Sequence, residues 1–198
     1  MLKIAALVSG GGTNLQAILD AIDASKIRNV QVALVVSTNG QAHALERAKN
    51  AGIDSLVLSK DDFADNVARE EALLDALTRK NIDLVVLCGC LMVLSEKFIN
   101  DLGKPIINVH PSLLPAHGGK GFYGLAVHEA VLAAGERETG ATVHYVDGGI
   151  DTGSIILQKK VAVKQGDTAE TLQKRVMEEA EWQILPQVVF SFAKGELP

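Results

Sequence analysis

Cysteine is nearly missing from this 198-residue chain, where Cys88 and Cys90 are the only two. Both lie in the apolar run IDLVVLCGCLMVL, and near neighbours in an extended segment cannot close a disulfide comfortably. They read as small buried hydrophobes of a reducing compartment, and with no further cysteine or matching histidine cluster no metal site is expected. Positive charge is also short: 19 Lys and Arg against 24 Asp and Glu leave a formal charge of -5. The basic residues are scattered and form no stripe, which argues against a nucleic-acid partner. One small anion stays open, because a few backbone amides can hold a phosphate without net positive charge. No run approaches the ~20 apolar residues of a membrane span. The opening MLKIAALVSGGGTN is too short in its apolar part for a signal peptide, so a cytoplasmic location is expected. Repeats, low-complexity tracts and linkers rich in Pro, Gly or Ser are absent too, which leaves one domain, 1–198, large enough to bury its own core.

What is present is alternation. Short Val, Ile and Leu runs (KIAALVS, VQVALVVS, DSLVLS, DLVVLCG) are separated by amphipathic stretches (NLQAILDAIDAS, AHALERAKNAG, REEALLDALTRKN). Strands apolar on both faces with helices between them predict an α/β domain with a doubly wound, mostly parallel sheet. After Gly140 the pattern changes: ATVHYV and SIILQKKVAV are separated only by DGGIDTG, too short for a helical crossover. They should form an antiparallel pair at the sheet edge, near the C-terminus. A last helix spans roughly Thr168 to Phe192, with Pro186 expected to kink or divide it. The one long loop, PSLLPAHGGKGFYG, has the length of a functional segment.

Three places carry chemistry. The turn LVSGGGTNLQ leaves the first strand and opens the first helix; its glycines let a ligand approach the backbone, and Thr13 and Asn14 are good capping residues. It lacks the third glycine of a dinucleotide fingerprint and the Gly-Lys-Ser/Thr of a nucleotide-triphosphate loop. Asn108 and His110 end the strand IINVH, two residues apart and so on one face of the sheet. In open parallel sheets that strand end is where ligands bind. The segment GATVHYVDGGIDTG adds His144, Asp147 and Asp151, and a carboxylate beside an imidazole favours its protonated form. An amide, an imidazolium and a carboxylate with no paired Ser or Cys nucleophile suit acyl transfer by direct attack of an amine.

NVHPSLLP followed by HYVDGGIDTG, together with SGGGTNLQ, resembles the folate-dependent formyltransferase family across nearly the whole chain. The resemblance implies a Rossmann-type fold and transfer of a formyl group from 10-formyltetrahydrofolate to the glycyl amine of glycinamide ribonucleotide. It implies that Asn108 stabilises the oxyanion, that His110 is the general acid, and that Asp151 holds it protonated. It places Gly12, Thr13 and Asn14 on the ribonucleotide phosphate and Glu181 on its ribose. The folate would meet Leu91, Met92, Val93 and Leu94, Asn108, and the loop Asp147, Gly148, Gly149, Ile150 and Asp151, with His144 in a supporting position. A monomer or homodimer is expected, without membrane or metal.

The chain departs from its relatives in several places. It reads Ile150-Asp151-Thr152-Gly153 where many read Leu-Asp-Gly-Gly, and the spacing from Asp167 to Glu181 is one residue longer than in some. Met92 and Cys90 replace residues that are often an Arg and an aromatic. The basic residue that follows strand three in some relatives has Lys60 and Arg69 as its nearest counterparts, with Asn66 in register, and stays unassigned. His117 and His128 read as surface or loop residues, His43 as a solvated helix residue. A family hydrolase that releases formate to water usually has a regulatory domain ahead of the catalytic one, and a methionyl-tRNA formyltransferase a C-terminal β-domain. Neither extension is expected here. A regulatory nucleotide-binding module would leave the grouping of Asn108, His110 and Asp151 without a purpose.

Overall fold

The computed structural model describes residues 1–197; Pro198, the last residue of the expected domain, lies outside them. The first half runs β1 (Leu2–Val8), α1 (Thr13–Asp23), β2 (Val30–Ser37), α2 (His43–Asn50), β3 (Ser55–Val57), α3 (Asn66–Arg79), β4 (Leu84–Leu87) and α4 (Glu96–Leu102). The second runs β5 (Ile106–His110), α5 (Leu125–Ala133), β6 (Glu138–Tyr145), β7 (Ile155–Ala162), α6 (Ala169–Val176) and α7 (Trp182–Ala193). The strands form one sheet in the order β3-β2-β1-β4-β5-β6-β7. Strands β1 to β5 pair in parallel, and β6 runs antiparallel to both β5 and β7. The expected α/β class, doubly wound with an antiparallel pair near the C-terminus, is what the chain adopts.

Because the winding reverses between β1 and β4, the chain leaves these neighbouring strands toward opposite faces, to α1 on one and α4 on the other, and a crevice opens between their loops. Ser9 N donates to the carbonyl of Gly89 (3.1 Å) and Leu91 N to Ser9 Oγ (2.8 Å), which fastens the two loops together.

The strands are apolar on both faces because both faces are covered. Ile4, Ala6, Val8, Val86, Ile107 and Val109 pack in one cluster with residues of α1, α2, α6 and α7. Ala5, Leu7, Val85, Leu87 and Ile106 pack in the other with Leu73 and Leu77 of α3 and Phe98 of α4. Each such side chain contributes roughly 1.5–3 kcal/mol on burial. Alternation sends Asn108 and His110 to the second face, but the apolar cluster there ends at Ile106. Over β5 and β6 this face is roofed by loops, and that gap is where the polar residues collect.

Two expectations are corrected. The C-terminal helix is divided, but not at Pro186, which stays inside α7. The break is a π-turn at Met177–Glu181. A π-turn absorbs one extra residue in a helix. His128 is not a surface residue: α5 turns Val127, His128 and Val131 inward, and His128 is 0% exposed. Neither of its ring nitrogens has a partner among the described residues. His43, by contrast, is solvated as expected, with its ring 3.4 Å from Glu46 at the surface.

Burial, with His110 nearby, pushes the His128 imidazole down to about 4. An unfolded-state histidine titrates near 6.5, so between these values the unfolded chain binds more protons. Stability present above pH 6.5 is therefore lost as the pH falls toward 4. Burial acts on His110 in the same sense. Urea midpoints measured across this range should drop with pH, and the drop should be smaller in His128→Leu; an equal drop would mean that His128 carries none of it.

Candidate active site

Asn108 and His110 project from β5, and antiparallel pairing with β6 sets Asn108 opposite His144 and His110 opposite Thr142. The connection from β6 to β7 then folds over this face and brings in Asp151. His110 Nδ1 lies 3.4 Å from Asp151 Oδ2, and His144 Nε2 3.5 Å from Asp151 Oδ1. Asn108 Nδ2 lies 3.1 Å from His144 Nε2 and donates more weakly to Asp151 Oδ1 at 3.4 Å. Residues far apart in the chain thus converge on one carboxylate, as expected for Asn108, His110 and Asp151. His144 is buried beside them, 2% exposed.

The tautomers follow from the carbonyl partners, which can only accept. His110 Nε2 donates to the carbonyl of His117 (2.8 Å), which leaves Nδ1 facing Asp151. His144 Nδ1 donates to the carbonyl of Tyr145 (2.8 Å), so in the neutral ring Nε2 accepts from Asn108. The long loop after β5 reaches both reacting groups through its backbone: besides the His117 carbonyl, Gly119 N donates to Asp151 Oδ2 at 3.0 Å. Thr142 Oγ1 anchors the start of that loop, accepting from Leu114 N and donating to the Ser112 carbonyl. Neither backbone contact is legible in the sequence, because any residue type can supply a carbonyl or an amide.

The electrostatics differ from expectation in one respect. Burial lowers the His110 pKa more than the His117 carbonyl and the Asp151 carboxylate raise it, so the ring titrates below its ordinary value. In the free protein burial thus favours the neutral His110 ring, against the Asp151 carboxylate, which favours the charged one. Burial also pushes the Asp151 carboxyl up, but the His144 contact and the Gly119 amide, followed by the attraction of a protonated His110, outweigh it and hold the carboxyl below its ordinary value.

A second cluster lies at the start of α1. Its N-cap is Gly12, at φ 70°, with no side-chain cap; a Cβ there would come within 2.6 Å of Ala44 Cβ. Thr13 and Asn14 do not cap the helix. Thr13 Oγ1 turns to Met177 Sδ (3.9 Å), and Asn14 Nδ2 donates to Glu181 Oε2 (2.6 Å). The first amides of the helix are left for another acceptor. Asn14 and Glu181 are both buried, and Asn14 Oδ1 has no partner among the described residues. Burial pushes the Glu181 carboxyl up against the donating Asn14 amide. An unpartnered amide oxygen on the residue that holds a buried carboxylate suits a ligand that brings hydroxyl donors. Arg47, which the sequence did not mark, braces the turn through Nε to the Gly11 carbonyl (2.8 Å) and Nη1 to Gln16 (2.8 Å).

Leu91 and Val93, on the loop after β4, are 63% and 57% exposed, while Met92 and Leu94, which alternate with them, are buried. Ile150, on the loop after β6, is 40% exposed. These apolar side chains belong to loops from the two strands that flank β5. Burial pushes the Cys90 thiol up, which makes it a poor nucleophile. Arg69 is buried with Nε on the Leu58 carbonyl (2.8 Å) and ties α3 to the end of β3. A cavity of about 750 Å³ runs between α1 and α7 from Thr13 and Arg47 to Lys26 and Phe190, and none of Asn108, His110 or Asp151 lines it.

The formyl transferase family profile matches residues 2–189. Phosphoribosylglycinamide formyltransferase of Haemophilus influenzae is 40% identical over 197 residues, 100% of this chain and 90% of the relative. The trifunctional purine biosynthetic protein adenosine-3 of Drosophila pseudoobscura pseudoobscura is 40% identical over 98% of this chain, which spans 14% of that longer protein. The solved structure of glycinamide ribonucleotide transformylase 1 from Symbiobacterium toebii superposes with a TM-score of 0.92 at 39% identity, covering 100% of this chain and 90% of that one.

The His110 resonance followed by NMR in the free protein should titrate below 6.5 and move lower in Asp151→Asn, since the substitution removes the charge that raises it. A midpoint above 6.5 would show that the carboxylate outweighs burial.

Proposed function

The chain belongs to the formyl transferase family, and from that premise we propose that its cleft transfers the formyl group of 10-formyltetrahydrofolate to the glycyl amine of glycinamide ribonucleotide. The products are formylglycinamide ribonucleotide and tetrahydrofolate, a step of purine biosynthesis. The observation that carries the site assignment is the convergence of Asn108, His110 and Asp151 at the end of β5, in a sheet whose β1 leads into a helix without a side-chain cap.

The uncapped amides of Gly12, Thr13 and Asn14 would take the ribonucleotide phosphate, where the helix dipole favours an anion. Glu181 and Asn14 Oδ1 would accept from the ribose hydroxyls. The exposed apolar Leu91, Val93 and Ile150, with the backbone of residues 91–94 and 147–151, fit a flat heteroaromatic ring. When bound, the folate supplies an activated formyl carbon on nitrogen.

Asn108 would donate to the formyl oxygen as it gains negative charge, exchanging its weak 3.4 Å bond to Asp151 for the stronger one. His110 starts neutral, so Nδ1 would accept the proton that the amine loses as the new C–N bond forms. The imidazolium is then paired with Asp151 and donates the proton as general acid to the departing nitrogen. His144 holds Asn108 and Asp151 in register. No nucleophile from the protein is needed, and the whole segment 1–198 would act as one catalytic domain. The two free thiols support a cytoplasmic setting. No helix among the described residues is long and apolar enough to cross a membrane.

Purified protein with 10-formyltetrahydrofolate should form tetrahydrofolate only when glycinamide ribonucleotide is added, with the formylated product identified by mass. Formate released without the ribonucleotide would mean a hydrolase instead. Removing the amide in Asn108→Ala should cost about 3 kcal/mol in the transition state, on the order of 10²-fold in kcat, as loss of one oxyanion donor commonly does. A variant as fast as the parent would remove Asn108 from this role.

A further inference from the structure

Asp151 carries the charge on which the site converges, yet its backbone is held at φ 58°. Side chains other than glycine adopt this left-handed conformation only where their surroundings hold them in it. The next residue supplies the hold. Asp147 Oδ1 accepts from Gly149 N at 2.9 Å and from Thr152 Oγ1 at 2.6 Å, and these bonds close a turn around residues 148 to 151. The turn is tight: a Cβ on Gly149 would overlap Thr152 Oγ1, and one on Gly153 would overlap the Tyr145 carbonyl. The Thr152 hydroxyl, followed by the Gly149 amide, holds the Asp147 carboxyl below the usual range, so the acceptor is ionised and its bonds are charge-assisted.

We propose that Thr152, acting through Asp147, is a positioning residue that keeps the Asp151 carboxylate between His110 and His144. Without the hydroxyl the turn can relax and Asp151 can leave its left-handed conformation. Its contacts of 3.4 and 3.5 Å to the two imidazoles have no slack to lose. Thr152 itself is not in the left-handed region, so its backbone needs no glycine, and its hydroxyl ties the turn from outside. Asp147, expected only as a folate contact, spends one carboxylate oxygen inside its own loop.

The inference rests on the role proposed for Asp151, and the experiment separates the two. The groups around His110 are Asp151, His144, His128 and His117, whose carbonyl takes its Nε2 proton. Of these, only the placement of Asp151 depends on residue 152. Rates and pH profiles are compared for the parent, Thr152→Val, Thr152→Ser, Gly149→Ala and Asp151→Asn.

Loss of one such hydrogen bond should lower kcat about 10-fold in Thr152→Val, with the ribonucleotide KM unchanged. With less carboxylate beside it, His110 protonates at lower pH, so the acid limb of the profile should move down, as in Asp151→Asn but less far. Thr152→Ser, which keeps the hydroxyl, should return the parent rate and profile. Gly149→Ala, which displaces the hydroxyl, should resemble Thr152→Val. Equal losses in Thr152→Val and Thr152→Ser overturn the proposal, as does a Thr152→Val protein with the parent kcat and profile. A higher folate KM at unchanged kcat overturns it too and makes Thr152 a ligand contact. An Asp151→Asn protein that behaves like the parent removes the catalytic reading itself. All the substitutions but Asp151→Asn fall on an exposed or tight loop, so urea midpoints serve as the check on folding.

Discussion

The carboxylate of Asp151 is the constraint around which the site is organised. It stands between two buried imidazoles, with a backbone amide on a third side. A buried charge left unpaired is strongly destabilising, so each element that delivers a partner is held to its place. The pairing of β5 with β6 delivers Asn108 and His144 side by side. The loop after β5 delivers Gly119, and the loop after β6 delivers the carboxylate itself. The apolar cover on this face stops at Ile106, and the uncovered part is what the polar groups occupy. The same burial that would strengthen an ion pair with Asp151 also disfavours the charged form of His110 that such a pair needs.

The other end of the cleft depends on a helix that is left unfinished. Gly12 starts α1 without a side-chain cap, and the two residues best suited to cap it are diverted to Met177 and Glu181. Their partners sit on the π-turn between α6 and α7. A π-turn is less stable than regular helix and recurs at functional sites, and here it carries a buried carboxylate to the first turn of α1. The two ends meet across the crevice between β1 and β4, where Ser9 ties their loops.

Much of this was legible in the residues. The apolar runs with helices between them marked a two-sided parallel sheet, and the seven-residue spacer DGGIDTG excluded a crossover and so predicted the antiparallel edge. Asn108 and His110 stood out because polar side chains interrupted a strand. Three points were not legible. His128 lies on α5, and without the phase of that helix nothing distinguishes an inward from an outward histidine. Pro186 drew the expected break to itself, whereas the helix tolerates it and yields at residues 177–181. Thr13 and Asn14 have good capping side chains, but side-chain direction was decided by Met177 and Glu181, more than 160 residues away.

The sequence by itself determined the class of fold, the strand end that bears the polar pair and the chemical types at the site. These follow from periodicity and from the short-range geometry of strands and turns, which depend only on neighbours in the chain. The tertiary structure alone decided which backbone groups hold His110 and Asp151, and the protonation of His110. That last sign is a balance between desolvation and a carboxylate 41 residues further along the chain. Spacing can bring the two groups to one cleft, but how much water remains around them is set by everything else that packs there.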